Sequence, residues 1–123
     1  MENQKLVEEF FAAQRRGDLE AVAAMLDDEM VMEWPQSGER FRGKSNVLGA
    51  MRAQRGAPEY AGEPQIIGDG DVWVFMVPLR YGDVRQHYVA VVELSAGRVR
   101  HGIGHWGAPF PADEARAEFA EGD

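Results

Sequence analysis

The apolar residues near the start of the chain recur with the period of a helix. A first stripe, typical of one face of an amphipathic helix, consists of Leu6, Val7, Phe10 and Phe11. Gly17 is a stop signal after this helix, and Asp18 is a residue type that caps the start of the next one. The second helix places four apolar residues on one side, namely Leu19, Val22, Met25 and Leu26.

The pattern changes to that of a strand after the acidic residues at 27–29. Residues 30–34 are typical of a strand, and Pro35 ends it because proline cannot donate to a strand ladder. A third helix is predicted over about Ser45–Gln54, with Gly56 and Pro58 as its stop. Four more strands are predicted, over Gln65–Ile67, Val72–Leu79, Gln86–Leu94 and Arg98–Trp106.

The connections between the later strands are short, at 68–71, 82–83 and 96–97. Such spacing favours antiparallel hairpins over crossovers. The tail is expected to add one helical turn, capped near Asp113. The order is helix, helix, strand, helix and then strands, which predicts a single α+β domain over residues 1–123 with an antiparallel sheet.

Both faces of the central strands are apolar. In a sheet with one solvent-exposed face, apolar and polar residues alternate along each strand. They do not alternate in Val72–Val77 or in Tyr88–Val92. The helices can cover one face, and little chain remains for the other. We therefore expect a homodimer that covers the outer face of the sheet.

Composition narrows the functional classes. The chain has no cysteine and a net charge of −8, so disulfides and thiolate metal sites are excluded and nucleic acid or an anionic membrane is a disfavoured partner. The polar start at Met1–Lys5 is unlike a signal peptide, and no apolar run approaches the ~20 residues that span a bilayer. A soluble, cytoplasmic protein is expected.

Four segments carry a resemblance to the nuclear transport factor 2-like superfamily, and within it to SnoaL-like domains. They are Val7-x-x-Phe10-Phe11 with Gly17-Asp18-Leu19, Met25-Leu26-Asp27-Asp28-x-x-Val31, Trp34-Pro35 with Gly38 and Arg42-Gly43, and Gly97-Arg98-Val99 with His105-Trp106. The resemblance implies a curved sheet wrapped round the helices as a cone, with a small hydrophobic ligand at the mouth. Members include ketosteroid isomerases, polyketide cyclases and limonene epoxide hydrolases.

The chain departs from these enzymes at their acidic positions. Trp34 stands directly before Pro35, where similar isomerases carry the aspartate base, and an indole has no basic lone pair. Similar isomerases carry a second aspartate, the acid that stabilises the oxyanion, on the strand before the last one, and its position falls near Val89 here. In similar cyclases of the SnoaL type the last strand ends His-Trp-Asp, whereas Gly107 follows His105-Trp106 here.

The expected pocket follows from the phase of the strands, because side chains alternate between faces. The residues assigned to it are Met32, Trp34, Val89, Gly102, Gly104 and Trp106. Glu33 then points towards solvent or a partner subunit. A slip of one residue would exchange Trp34 for Glu33 and Trp106 for His105.

His87 is the candidate catalytic residue, because it is in phase with Val89 and imidazole titrates near pH ~6.5. His101 and His105 lie about 13 Å apart along a strand, which is too far for one metal with bonds of about 2 Å. Asp69 and Asp71 are typical of a turn. No metal and no cofactor are expected.

Two functions remain open. The first is a binding module that holds a small hydrophobic molecule without transforming it. The second is an isomerase, cyclase or hydratase that uses His87 with a pocket tyrosine or arginine, for which the candidates are Arg80, Tyr81, Tyr60 and Tyr88. A third possibility is a dimeric interaction domain without a cavity on the usual ligand scale of ~300 Å³.

Overall fold

The helices lie in the first half of the chain, and most of the sheet follows them. The computed structural model describes residues 2–53 and 59–121. Its helices are α1 (Glu2–Arg15), α2 (Leu19–Met25) and α3 (Lys44–Ala53). Its strands are β1 (Leu26–Trp34), β2 (Glu39–Arg42), β3 (Glu59–Tyr60), β4 (Gln65–Asp69), β5 (Val72–Tyr81), β6 (Val84–Ser95) and β7 (Arg98–Gly107). A 3₁₀ helix, Glu114–Phe119, lies in the tail.

The strands form one curved, unclosed sheet in the order β2-β1-β7-β6-β5-β3, with β4 also paired to β5. The predicted α+β fold is confirmed. The expectation of an antiparallel sheet is wrong at one place, because β1 and β7 pair in parallel. These two strands are far apart in sequence, so the short turns that predicted hairpins carry no information about how they meet.

The element boundaries near Asp18 follow from local chemistry. The Asp18 carboxylate accepts a hydrogen bond from the backbone N–H of Ala21 at 3.1 Å, which satisfies a free donor of the first turn of α2. Gly17 has φ +72°, a conformation that glycine adopts without strain. The predicted strand at residue 30 begins earlier, because Leu26 already pairs with Val99 of β7.

Two further boundary predictions have different outcomes. The predicted helix stop at Gly56 and Pro58 lies outside the described residues. The tail turn forms where it was expected, and the Asp113 carboxylate accepts from the N–H of Ala115 at 2.9 Å. The short strand β3 was not predicted. Among the described residues, no helix is long and apolar enough to cross a bilayer.

The core lies between the inner face of the sheet and the helices. Burial alternates along β5, where the inward side chains are Trp73, Phe75, Val77 and Leu79. Phe75 is 1% exposed and its ring lies 5.3 Å from that of Phe11 and 6.4 Å from that of Phe10. The apolar stripe of α1 therefore packs on the middle of the sheet.

The outer face of the sheet keeps apolar side chains that are exposed or half-buried in the single chain. One row crosses four strands in register, from Ile67 through Val74 and Val91 to Ile103. We call the apolar surface around this row the outer patch; its members are Ile67, Val72, Val74, Met76, Val89, Val91 and Ile103.

Candidate functional site

Trp34 and Trp106 both lie on the inner face, near one end of the sheet. In β1 the buried residues alternate, so that Met32 is 8% exposed and Trp34 continues the same inward phase. Glu33 and His105 lie on the outer face. The structure thus places the two tryptophans, and neither of the two ionisable neighbours, beside the interior of the cone.

The interior of the cone holds a cavity of only about 30 Å³, the room that one or two water molecules need. We call it the interior cavity. Its inner-face lining residues are Phe10, Gln14, Met30, Met32, Trp34, Met51, Phe75, Tyr88, Ala90, Val92, Gly102 and Gly104, and the outer-face residue Ile103 borders it between the two glycines. Among them, Gln14, Trp34 and Tyr88 carry a polar side-chain atom. Ligand sites usually need ~300 Å³ or more, so this cavity must widen to admit one.

A much larger cleft opens at the mouth of the cone, with a volume of about 520 Å³. We call it the mouth cleft. It is lined by Trp34, Gln36, Ser37, Glu39, Tyr81, Gln86, Trp106 and Ala108. Trp34 lines both the mouth cleft and the interior cavity. The rings of Trp34 and Trp106 meet at 86° with centroids 5.3 Å apart.

Side-chain hydrogen bonds hold the two tryptophans in place. The Gln36 amide donates to the carbonyl of Trp106 and accepts from its N–H, which ties the β1–β2 turn to the end of β7. The Ser37 hydroxyl contacts the Trp34 carbonyl at 3.2 Å and the Glu39 carboxylate at 2.6 Å. The wall of the mouth cleft is therefore braced by the neutral side chains of Gln36 and Ser37, and Ser37 also contacts the charged Glu39.

Two glycines of β7 leave the space that the aromatic rings occupy. A Cβ on Gly104 would lie 3.4 Å from the rings of Trp106 and Tyr88. A Cβ on Gly102 would lie 3.4 Å from the Met30 methyl. Larger side chains at these two positions would push into the interior cavity or its aromatic wall.

His87 and Val89 do not face the interior. The inward residues of β6 are Tyr88 and Ala90, and Ala90 pairs with the buried Phe75 of β5. His87 is exposed on the outer face, so the assignment of these two residues to the pocket is wrong. Both faces of this strand segment are apolar, and alternation therefore gave no signal for its phase.

An ionic network on the outer face surrounds His101. Its Nε2 lies 2.6 Å from the Glu33 carboxylate, and its Nδ1 lies 3.6 Å from that of Glu93. Arg40 reaches the same Glu33 carboxylate at 3.0 Å. The hydrogen bond with His101, followed by that with Arg40, lowers the pKa of Glu33. This network lies across the sheet from both spaces.

The tyrosines are the titratable groups nearest the interior. Burial raises the pKa of Tyr88 far above its ordinary range, so its phenol stays protonated and can donate a hydrogen bond. Burial also raises the pKa of Tyr81, and a hydrogen bond with the Trp106 side chain offsets part of that rise. Both side chains are neutral near pH ~7.

The other candidates for a catalytic tyrosine or arginine are engaged elsewhere. Arg80 forms an ion pair with Glu59 at 3.1 Å. The Arg15 guanidinium lies 4.4 Å from the centroid of the Tyr60 ring. Neither Arg80 nor Tyr60 lines the interior cavity or the mouth cleft. Over residues 2–53 and 59–121, no group of three or more histidine and acidic side chains is arranged to hold a metal.

Several lining residues were not predicted from the sequence. Gln14 follows Phe10 by four positions, so the helical period placed it on the inward stripe of α1. The lining residues from the turns and strand ends carried no such periodicity; they are Gln36, Ser37, Glu39, Gln86 and Ala108.

Comparisons with known proteins agree with this architecture. An NTF-2-like protein of unknown function from Burkholderia xenovorans LB400 is 27% identical, with 99% of this chain and 95% of that chain covered and a TM-score of 0.84. A provisionally assigned ketosteroid isomerase from Kribbella flavida DSM 17836 is 23% identical, with 99% and 90% covered and a TM-score of 0.90. An LEH-like epoxide hydrolase from M. tuberculosis is 24% identical, with 85% and 82% covered and a TM-score of 0.65.

A search of curated proteins found no match. The sequence family of SnoaL-like domains matches residues 7–102, a segment that runs from the inward stripe of α1 to Gly102 of β7. The chain belongs to the SnoaL-like domain family.

Proposed function

We propose that this protein binds a small hydrophobic molecule in its cone-shaped pocket without transforming it. One observation carries the proposal: the Trp34 indole is shared between an open aromatic cleft of about 520 Å³ and an apolar interior cavity. A ligand in the mouth cleft at Trp34 therefore lies next to the lining of the interior cavity.

The lining gives a physical basis for such binding. Aromatic side chains bury large areas and interact favourably with ring-containing ligands. Three methionines line the interior cavity, namely Met30, Met32 and Met51. Methionine is unbranched and changes rotamer easily, so these side chains can move aside when a ligand enters.

The alternative is an isomerase, cyclase or hydratase that uses acid–base catalysis. The isomerase and epoxide hydrolase among the similar structures make this class relevant, but no described aspartate, glutamate, histidine, lysine or arginine lines the interior cavity. His87 is on the other face. Tyr88 is the candidate that reaches the interior, and its raised pKa suits a hydrogen-bond donor and not a base.

Binding of the neutral apolar dye N-phenyl-1-naphthylamine tests the proposal. The dye should fluoresce on saturable binding to the wild type. Trp106→Ala should weaken its binding about tenfold, because one aromatic wall is lost. Val84→Ala is the matched control, since Val84 is 50% exposed and lines neither space. Absence of saturable binding, or equal affinity in Trp106→Ala, would overturn the proposal.

We also propose a homodimer through the outer patch. Its support is the apolar row that crosses four strands and stays exposed or half-buried in the single chain, because exposed apolar surfaces of this extent mark interaction sites. Analytical ultracentrifugation should give a dimer for the wild type and a monomer for Val91→Glu, with Val84→Glu as the control that stays dimeric. A monomeric wild type contradicts the proposal. The cytoplasmic location stays a prediction.

A further inference from the structure

The mouth cleft contains one charged side chain among its described lining residues, and that side chain is acidic. It belongs to Glu39, which pairs across the strands with Trp34 on the inner face. Arg40 and Arg85 are next in sequence to the lining residues Glu39 and Gln86. Because side chains alternate along a strand, these two arginines lie on the outer face. Arg40 pairs with Glu33 there, and Arg85 pairs with Arg80.

Glu39 has no cationic partner among the described residues. Its carboxylate accepts a hydrogen bond from the Ser37 hydroxyl at 2.6 Å, which orients it without neutralising it. Glu33, one strand away on the other face, is paired with both Arg40 and His101. Glu39 is exposed, and its negative charge remains in the mouth cleft, where a cationic group of a ligand can pair with it.

The aromatic rings of the mouth cleft also favour a ligand that carries a positive charge. The face of an indole carries the negative part of its quadrupole, and a cation within ~6 Å of the ring centre is attracted to it. Trp34 and Trp106 stand perpendicular, with centroids 5.3 Å apart, and both line the mouth cleft. Tyr81 is the third aromatic residue of the lining.

We propose that the ligand is an amine whose ammonium group sits in the mouth cleft against Trp34 and Trp106, with Glu39 as its counter-ion. This inference rests on the proposed binding function and names the ligand class. The apolar body of the amine points past Trp34 towards the interior cavity. The net charge of −8 adds a long-range attraction for cations.

The proposal separates charged from neutral ligands of equal shape. A neutral carbon isostere retains the apolar contacts but loses the attraction of the rings and of Glu39. A carboxylate or phosphate in the same place would face Glu39 and the negative ring faces. The cation should therefore bind about tenfold more tightly than its isostere.

The probes are benzyltrimethylammonium and its carbon isostere neopentylbenzene, titrated against the full chain by tryptophan fluorescence. Glu39→Gln removes the charge while keeping an oxygen that can accept from Ser37. It should lower the affinity for benzyltrimethylammonium about twofold to fivefold, because an exposed charge pair is lost, and leave that for neopentylbenzene unchanged. Glu63→Gln is the matched control, because Glu63 is an exposed carboxylate outside the mouth cleft.

The outcomes separate this inference from the function on which it rests. Equal or tighter binding of neopentylbenzene overturns the ammonium proposal and leaves the binding function standing. An equal loss in Glu39→Gln and Glu63→Gln also overturns it, since net charge and not the site then attracts the cation. Binding of the neutral dye without binding of either probe overturns the ligand class alone, whereas failure of all three overturns both proposals.

Discussion

Replacement of Trp34 by alanine tests whether its indole is packed beside the mouth cleft and the interior cavity. The Trp34 ring meets Phe41 edge-on, with centroids 4.8 Å apart at 72°, and Trp106 at 5.3 Å and 86°. Each such aromatic pair contributes about 0.5–1.5 kcal/mol beyond area burial. The half-buried indole also loses apolar contact area when it is truncated.

These contributions give an expected loss of about 3 kcal/mol in the free energy of unfolding, at the lower end of the roughly 3–5 kcal/mol found for fully buried aromatic residues. For a chain of 123 residues, that corresponds to a fall in Tm of roughly 10 °C. Trp34→Phe keeps a ring in the same place and should lose only about 1 kcal/mol.

Urea unfolding followed by far-ultraviolet circular dichroism measures this loss without relying on the fluorescence of the residue removed. Phe110→Ala is the control, because Phe110 is 80% exposed and its truncation should change stability by less than about 0.5 kcal/mol. A loss below about 1 kcal/mol for Trp34→Ala would show that the indole is not packed against Phe41 and Trp106, and the place assigned to it beside the mouth cleft and the interior cavity would be wrong.

Two further predictions concern the backbone and the ionic network. A Cβ at Gly68 would lie 2.5 Å from the Val72 carbonyl oxygen, whereas nothing lies within 4 Å of one at Gly49 in α3. Gly68→Ala should therefore destabilise the fold by about 2 kcal/mol or more, and Gly49→Ala should stabilise it by about 0.5–1 kcal/mol; equal effects in urea unfolding would refute this. His101 and Arg40 lower the pKa of Glu33 from its ordinary value of 4.5. The ionised carboxylate therefore stabilises the folded protein above pH 4.5, and this contribution is lost as the pH falls through the lowered pKa of the folded state. The stability gap between wild type and Glu33→Gln should be present at about pH 7 and shrink towards about pH 3, and a gap that does not change with pH would contradict the network.

The sequence predicted the helices and their order because each carries a clear period and its own end signals. Phe10 and Phe11 fixed the inward stripe of α1, and Asp18 marked the start of α2 through its capping chemistry. The parallel pairing of β1 with β7 had no such signal. It depends on contacts between the first and last long strands, which only the packing of the whole sheet defines.

The candidate site was predictable where one face of a strand differs from the other. In β1, Glu33 contrasts with Met32 and Trp34, so a phase could be assigned. In β6, the run from Tyr88 to Val92 is apolar on both faces, and His87 was therefore assigned to the wrong side. The size of the interior cavity was also beyond prediction, because it depends on how closely the methionine and aromatic side chains pack.

The three tryptophans provide the most direct measurement of the central claim, that a small apolar ligand enters between Trp34 and Trp106. Their indole N–H signals can be followed by ¹H–¹⁵N correlation spectroscopy while N-phenyl-1-naphthylamine is added. Trp73 is an internal control, since it is 6% exposed and its indole donates to the Gly70 carbonyl at 2.9 Å. We predict that the Trp34 and Trp106 signals shift with saturation while that of Trp73 stays in place. Shifts confined to Trp73, or equal shifts of all three signals, would contradict the account.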